Sequence, residues 1–174
     1  RPPISTLFPS TTLFRSLLHI CCGPCTIYPV KVLRTHGHEV TGLFYNPNIH
    51  PYQEYERRRQ TLKDYAEKVI LKVIWADGYP MEEFLRRVAS KPEDRCAYCL
   101  TDRLKLAAHQ AKQENFDAFT STLLYSRFQN HDLIRKIGET LGGQMGIKFL
   151  YEDFRLGWSE GVRISKDLNM YRQP

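Results

Sequence analysis

The chain has 174 residues, 42% apolar and 25% charged, and its 25 Lys and Arg outnumber 19 Asp and Glu for a formal charge of +6. That length supports one compact domain with a real core, and that composition is globular rather than disordered or fibrous. No apolar run approaches the roughly 20 residues of a membrane span, so no membrane partner is expected, and five cysteines cannot all pair internally.

Residues 1–16 have no helical or strand period, carry three prolines and no acids, and are broken by Pro9 where a signal peptide would be apolar. They resemble translated sequencing-adapter sequence. They are read as a non-native, disordered extension, with residues 17–174 as the single domain. Without Arg1 and Arg15, 23 bases face 19 acids, a formal charge of +4. This mild basic excess is compatible with nucleic acid. With no secretory signal, the cysteines are read as reduced and metal-directed and the chain as cytoplasmic.

Leu17-Leu18-His19-Ile20 reads as a buried strand of parallel-sheet type. A cysteine turn follows, then a helix with Pro29 in its first turn. Val40–Tyr45 is a second strand, and residues 46–51 form a loop held by two prolines. Gln53–Val69 is a long helix that turns Tyr55, Leu62 and Ala66 inward, with Glu54–Arg58 and Asp64–Lys68 pairs on its wet side. Lys72–Ala76 is a third strand, and Pro80 opens a short helix. Cys96-Ala97-Tyr98-Cys99 leads into a helix with Leu100, Leu104, Ala107 and Ala111 on one face. Asp117–Leu123 is a fourth strand. Asn130 caps a helix that Gly142-Gly143 stops, Lys148–Tyr151 is a fifth strand, and Glu160–Leu168 a last helix. Alternating strands and helices imply an α/β fold: a Rossmann-like open parallel sheet with helices on both faces. Ligands in such sheets sit beyond the carboxyl ends of the strands. Cys21, Cys22, Asn46, Ser121, Tyr125, Asp153 and Arg155 all fall there.

The cysteines stand in two tight groups, Cys21-Cys22-Gly23-Pro24-Cys25 and Cys96-Ala97-Tyr98-Cys99. Thiolates bind zinc, copper(I) and iron–sulfur clusters. Structural zinc commonly uses two C-x-x-C pairs. The adjacent Cys21 and Cys22 reach different corners of a large cluster more easily than one metal ion, which favours iron–sulfur. Cys22-Gly23-Pro24-Cys25 is also a thioredoxin-like dithiol, although that chemistry needs only two thiols. Asp153 is a candidate iron ligand or proton carrier and Arg155 an anion holder, against the plainer reading of a surface ion pair. Tyr45 and Tyr125 are candidate base-stacking groups. His131 by itself reads as a helix cap or satisfied polar group rather than a ligand.

His19-Ile20-Cys21-Cys22-Gly23-Pro24-Cys25, Phe44-Tyr45-Asn46-Pro47-Asn48-Ile49-His50-Pro51, Tyr55-x-x-Arg58 and Arg95-Cys96-x-x-Cys99 together resemble the QueH-type epoxyqueuosine reductases. Ser121-Thr122-Leu123-Leu124-Tyr125-Ser126, Asp153-Phe154-Arg155 and Tyr171-Arg172-Gln173 extend the resemblance. It implies a Rossmann-like sheet of nucleotide α-hydrolase type. It also implies an iron–sulfur oxidoreductase that reduces epoxyqueuosine to queuosine at the wobble position of tRNA, the last step of queuosine biosynthesis. The implied cofactors are a 4Fe–4S cluster and an adjacent mononuclear iron, and the implied partners are tRNA and an unidentified electron donor. Carried over, Cys21, Cys22, Cys96 and Cys99 hold the cluster, and Asp153 is an oxygen ligand of the second iron. Cys25 serves that iron or the turn. Tyr45, Asn46, Ser121, Tyr125 and His131 face the substrate, and Asp153 and Arg155 take part in catalysis.

The family pattern continues past Tyr171-Arg172-Gln173 into a Cys-x-Cys pair, whereas this sequence stops at Pro174. The expectation is a fragment clipped at both ends that binds its cluster and turns over poorly. Two alternatives remain. An ATP-dependent tRNA sulfur-transfer enzyme would use a glycine-rich loop after strand one, but this turn has a single glycine and a proline. A non-catalytic zinc module would hold zinc without sulfide.

Overall fold

The computed structural model describes residues 13–173. The elements run β1 (Phe14–Ile20), α1 (Gly23–Thr35), β2 (His38–Phe44), α2 (Tyr52–Lys68), β3 (Lys72–Trp75), α3 (Met81–Ser90), α4 (Arg95–Gln113), β4 (Ala118–Ser121), α5 (His131–Met145), β5 (Lys148–Phe149) and α6 (Trp158–Asp167). Short 3-10 turns precede α4, follow β4 and precede α6. All five strands pair in parallel in the order β3-β2-β1-β4-β5. The α/β sheet expected from alternating elements is therefore present.

Leu17, Leu18 and Ile20 of β1 and Phe119 of β4 are fully buried, as central parallel strands covered on both faces require. Right-handed crossovers place α1 and α2 on one face and α4 and α5 on the other. Packing agrees: α1 lies against α2 and α6, and α4 against α5 and α3.

The strand boundary at the start differs from the sequence reading. Phe14, Arg15 and Ser16 belong to β1 and pair with His38, Glu39 and Val40. Arg15 is the reason. Its backbone N–H donates to Asp117, its guanidinium reaches the Glu114 and Asn115 carbonyls, and it lies over the Phe116 ring. Residues 14–16 are therefore part of the sheet and not of the extension expected over residues 1–16, of which residues 1–12 lie outside the described residues.

Other departures are local. Pro24, not Pro29, occupies the first turn of α1, and Pro29 sits inside the helix. Glu54 and Arg58 pair at 2.7 Å, but in a partly buried setting where the Tyr171 hydroxyl also donates to Glu54 at 2.6 Å. Asp64 accepts from Gln60 instead of pairing with Lys68. α5 runs through Gly142-Gly143 to Met145 and ends at Gly146 in the left-handed conformation. Gly142 is needed for contact, not for termination: a Cβ there would meet the Ile147 carbonyl oxygen at 2.5 Å, whereas one at Gly143 would meet nothing within 4 Å.

These neighbouring glycines make a matched test. Gly142→Ala is expected to lower stability by about 1–3 kcal/mol through overpacking against β5. Gly143→Ala is expected to be neutral or stabilising by up to about 1 kcal/mol. Urea midpoints that fall equally for both would show that contact with β5 is not what selects glycine at 142.

Candidate metal centre and substrate cavity

The sheet reverses its winding between β1 and β4, so the crevice beyond their carboxyl ends is open to a ligand. Three strand ends are fastened there by His19. Its ring is fully buried, with Nδ1 at 2.8 Å from Ser121 Oγ and Nε2 at 3.0 Å from the Tyr45 carbonyl. A carbonyl only accepts, so Nε2 carries the proton and Nδ1 accepts from the serine. Burial, reinforced by the charge of Arg103, pushes the His19 pKa down to about 3 and keeps the ring neutral. Ser121 Oγ also accepts from the Leu123 N–H. Asn46 donates to the Ile20 carbonyl at 2.9 Å, while its Oδ1 is buried without a partner.

Cys21 leaves β1 into this crevice. Its N–H donates to Thr122 Oγ1 at 3.1 Å, and that hydroxyl lies 3.2 Å from the Cys21 sulfur as donor. One buried hydroxyl thus fixes both the backbone and the sulfur. Cys22 is the N-cap of α1 and Cys25 lies within its first turn, so their side chains meet on one face. The structure joins these two in a disulfide. That corrects the expectation of five reduced thiols, because C-x-x-C at a helix start brings the sulfurs together with or without a metal. The sulfurs of Cys21, Cys22 and Cys25 all lie within 4.8 Å of one another and could hold a metal once Cys22 and Cys25 are reduced.

Cys96 and Cys99 occupy the first turn of α4, the former exposed and the latter half-buried. Burial pushes the Cys99 thiol up, with the Arg103 guanidinium opposing it. The two cysteine groups border different cavities. One of about 380 Å³ is bordered by Cys22, Cys25, Arg58, Trp158, Arg172 and Phe128. The other, of about 630 Å³, is bordered by Asn48, Cys96, Cys99, Arg103 and Phe128. Phe128 borders both. Of the expected set, Cys22 borders the first cavity, Cys96 and Cys99 border the second and Cys21 borders neither, while Cys25 stands with Cys21 and Cys22.

Arg103 is only 5% exposed, donates from Nε to the Cys99 carbonyl at 3.2 Å, and has no ion pair among the described residues. A buried cation with no carboxylate partner is unfavourable by itself. It is stabilised when thiolates beside it hold an anionic metal group, so this donor set and its surroundings fit such a group. Asn48 Oδ1 at the same cavity is also buried without a donor.

Of the remaining expected residues, Tyr125 also borders the first cavity, and each has partners of its own. Tyr45 donates to Asp102 at 3.0 Å, and burial followed by the Asp102 charge pushes its pKa up. Tyr125 is 3% exposed, stacks beneath Trp158 and donates to the Trp158 carbonyl at 3.1 Å. Asp153 is gripped by Arg155, which donates from Nε at 2.8 Å and from a terminal nitrogen at 2.6 Å. Those bonds hold the carboxyl at about 2. Neither residue borders the two cysteine cavities. His131 is buried, with Nε2 donating to the Ser126 carbonyl and Nδ1 unpartnered; Asn130, not His131, caps α5.

The family model for epoxyqueuosine reductase QueH matches residues 16–174. The chain belongs to the QueH family. An epoxyqueuosine reductase QueH of Dehalococcoides mccartyi is 33% identical over 157 residues, covering 90% of this chain and 86% of that protein. One from Thermotoga maritima is 34% identical over 168 residues, covering 90% and 84%. Among solved structures, a predicted subunit of tRNA methyltransferase from Methanocaldococcus jannaschii superposes with a TM-score of 0.57 at 13% identity, covering 88% of this chain and 75% of that one. The U34-tRNA thiolase NcsA from Methanococcus maripaludis, solved with its 4Fe–4S cluster, gives 0.57 at 13% identity over 92% and 60%. At that identity the structural likeness shows the fold.

Thr122, Arg103, Phe128 and Trp158 are site residues that sequence reasoning passed over. A threonine after a strand and an arginine on an apolar helix face carry no signal until the fold brings them to a cysteine. Arg103 alone had a trace, since it falls at i+4 from Cys99.

Glu54 supports the first cavity through Arg58 and Tyr171. Burial raises its pKa, but the hydrogen bonds from Tyr171 and Arg58 and the charges of Arg58 and Arg57 outweigh that, and the net shift is downward. Its contribution to stability is therefore full above the ordinary carboxylate range and is lost as pH falls through the lowered folded value. Wild type is expected to exceed Glu54→Gln by about 1–2 kcal/mol near pH 7, with the gap closing as pH falls below about 4.5. A gap in urea midpoint that stays constant to low pH would rule out the carboxylate charge as its source.

Proposed function

We propose that this chain reduces epoxyqueuosine to queuosine at the wobble position of a tRNA anticodon. The observation that carries the reading is the family match across residues 16–174, seated on two cysteine groups that open onto cavities sharing Phe128. Reductive opening of the epoxide to an alkene takes up two electrons and two protons and releases the oxygen as water. The cofactors in this reading are a 4Fe–4S cluster on Cys21, Cys22, Cys96 and Cys99, and a mononuclear iron with Cys25 and Asp153 as candidate ligands. When bound, they supply single electrons and a Lewis acid for the epoxide oxygen.

The chain's own residues do the rest. Thr122 orients the Cys21 sulfur. Arg103 offsets thiolate charge from a dry position. His19 and Ser121 hold the ends of β1, β2 and β4 at fixed separation. Arg58 and Arg172 present cations at the rim where RNA phosphates would lie. For Asp153 to act as a ligand, Arg155 must release it and becomes free to hold an anion. Reducing equivalents come from an unidentified donor. No helix among the described residues is long and apolar enough to cross a membrane; the cytoplasmic location in this reading follows from a tRNA substrate.

Anaerobic reconstitution is expected to load iron together with acid-labile sulfide, and nucleoside mass spectrometry should then detect queuosine formed from epoxyqueuosine-tRNA. Zinc without sulfide would replace this reading with a structural zinc module. Cys99→Ala is expected to lower conversion by at least about 100-fold, whereas Cys25→Ala should retain sulfide and lose only part of the iron. Loss of all sulfide in Cys25→Ala would overturn the ligand assignment. Arg103→Met is expected to move the cluster midpoint potential to more negative values, because the positive charge favours the added electron; an unchanged potential would separate Arg103 from the cluster.

A further inference from the structure

An exposed aromatic stands between the two cysteine cavities. Phe128 is 86% exposed, and what singles it out among the exposed apolar side chains is its place at the border of both cavities. Its loop is braced at both ends. The Phe128 N–H donates to Ser126 Oγ at 3.2 Å, His131 Nε2 donates to the Ser126 carbonyl at 3.1 Å, and Asn130 caps the Leu133 N–H at 3.0 Å. Behind Phe128, the Trp158 ring meets it edge-on at 5.9 Å, and Tyr125 supports Trp158 from below at 5.2 Å and 26°. The Arg127 guanidinium lies 5.5 Å from the Trp158 centroid. Arg172 borders the same cavity, and neither Arg127 nor Arg172 has an ion pair among the described residues.

We propose that Phe128, backed by Trp158 and flanked by Arg127 and Arg172, is a stacking platform for an unpaired RNA base next to the nucleotide that enters the cysteine cavities. The proposal rests on the tRNA reading above. Aromatic faces interleaved with free arginines suit a single strand, whose bases offer π-faces and whose phosphates offer charge. A paired helix buries those faces in its own stack. A platform between the two cavities would hold the neighbouring base while the modified one is turned inward. Tyr125 itself is too deeply buried to meet a base, and Phe128 and Trp158 take over the stacking role first assigned to it.

The test uses the reconstituted chain and two labelled RNAs, an anticodon stem-loop and a fully paired hairpin of equal length, with fluorescence anisotropy as the readout. Wild type is expected to prefer the stem-loop. Phe128→Ala should weaken stem-loop binding about tenfold, the loss of one base–aromatic stack, while iron and sulfide content stay unchanged. Phe128→Trp should restore binding, and in turnover Phe128→Ala should raise KM more than it lowers kcat. Unchanged stem-loop affinity in Phe128→Ala overturns the platform and leaves the tRNA reading standing, as does an altered response to the electron donor with unaltered RNA binding. Failure of wild type to bind the stem-loop overturns both.

Discussion

Three strand ends meet on one imidazole. His19 donates to the carbonyl of Tyr45, just past β2, and accepts from the serine that ends β4, while its own backbone runs in β1. Parallel strands have no hairpin to fix their carboxyl ends, so the spacing of the loops that follow depends on such cross-links. A neutral ring with one donor and one acceptor satisfies both neighbours, and a charged one would have no acceptor to offer Ser121. The cysteine turn, the Asn46 loop and the turn after Ser121 inherit their positions from this contact.

Around that anchor, charge is distributed with one consistent sense. Arg103 is buried on the side of Cys96 and Cys99, and Arg58, Arg127 and Arg172 line or flank the side of Cys22 and Cys25. Arg58 is the one held by a carboxylate, Glu54. An interior that concentrates thiols beneath unpaired cations is arranged for negative charge at two depths: thiolates and their metal within, phosphates at the rim. The mild basic excess of the whole chain gives little sense of this, because other arginines, Arg59, Arg86, Arg87, Arg135 and Arg163, pair with glutamates or aspartates on helix surfaces.

Much of the fold was legible because parallel sheets write strong signals. The apolar run Leu17–Ile20, the apolar face of α4 and the Asn130 cap appear as expected. The errors are at boundaries, where local signals compete with tertiary contacts. Gly142 looked like a helix stop because glycine usually is one, but here a neighbouring strand excludes a Cβ. Arg15 looked like part of a featureless leader because its partners lie about a hundred residues away. The chemistry was readable where it lies in contiguous motifs, the two cysteine groups above all. It was unreadable where function depends on exposure, since no pattern tells a buried phenylalanine from Phe128.

Pro29 inside α1 has a further consequence. Lacking an N–H, it leaves the Cys25 carbonyl without its helical donor one turn earlier. At the neighbouring Cys22 carbonyl, the Thr26 hydroxyl donates at 2.8 Å. The first turn of α1 is thus held to the rest of the helix by fewer backbone bonds than usual, and the turn so loosened carries Cys22 and Cys25. One backbone bond fewer behind this turn suits a pair of cysteines that must part from a closed pair before both can act as ligands.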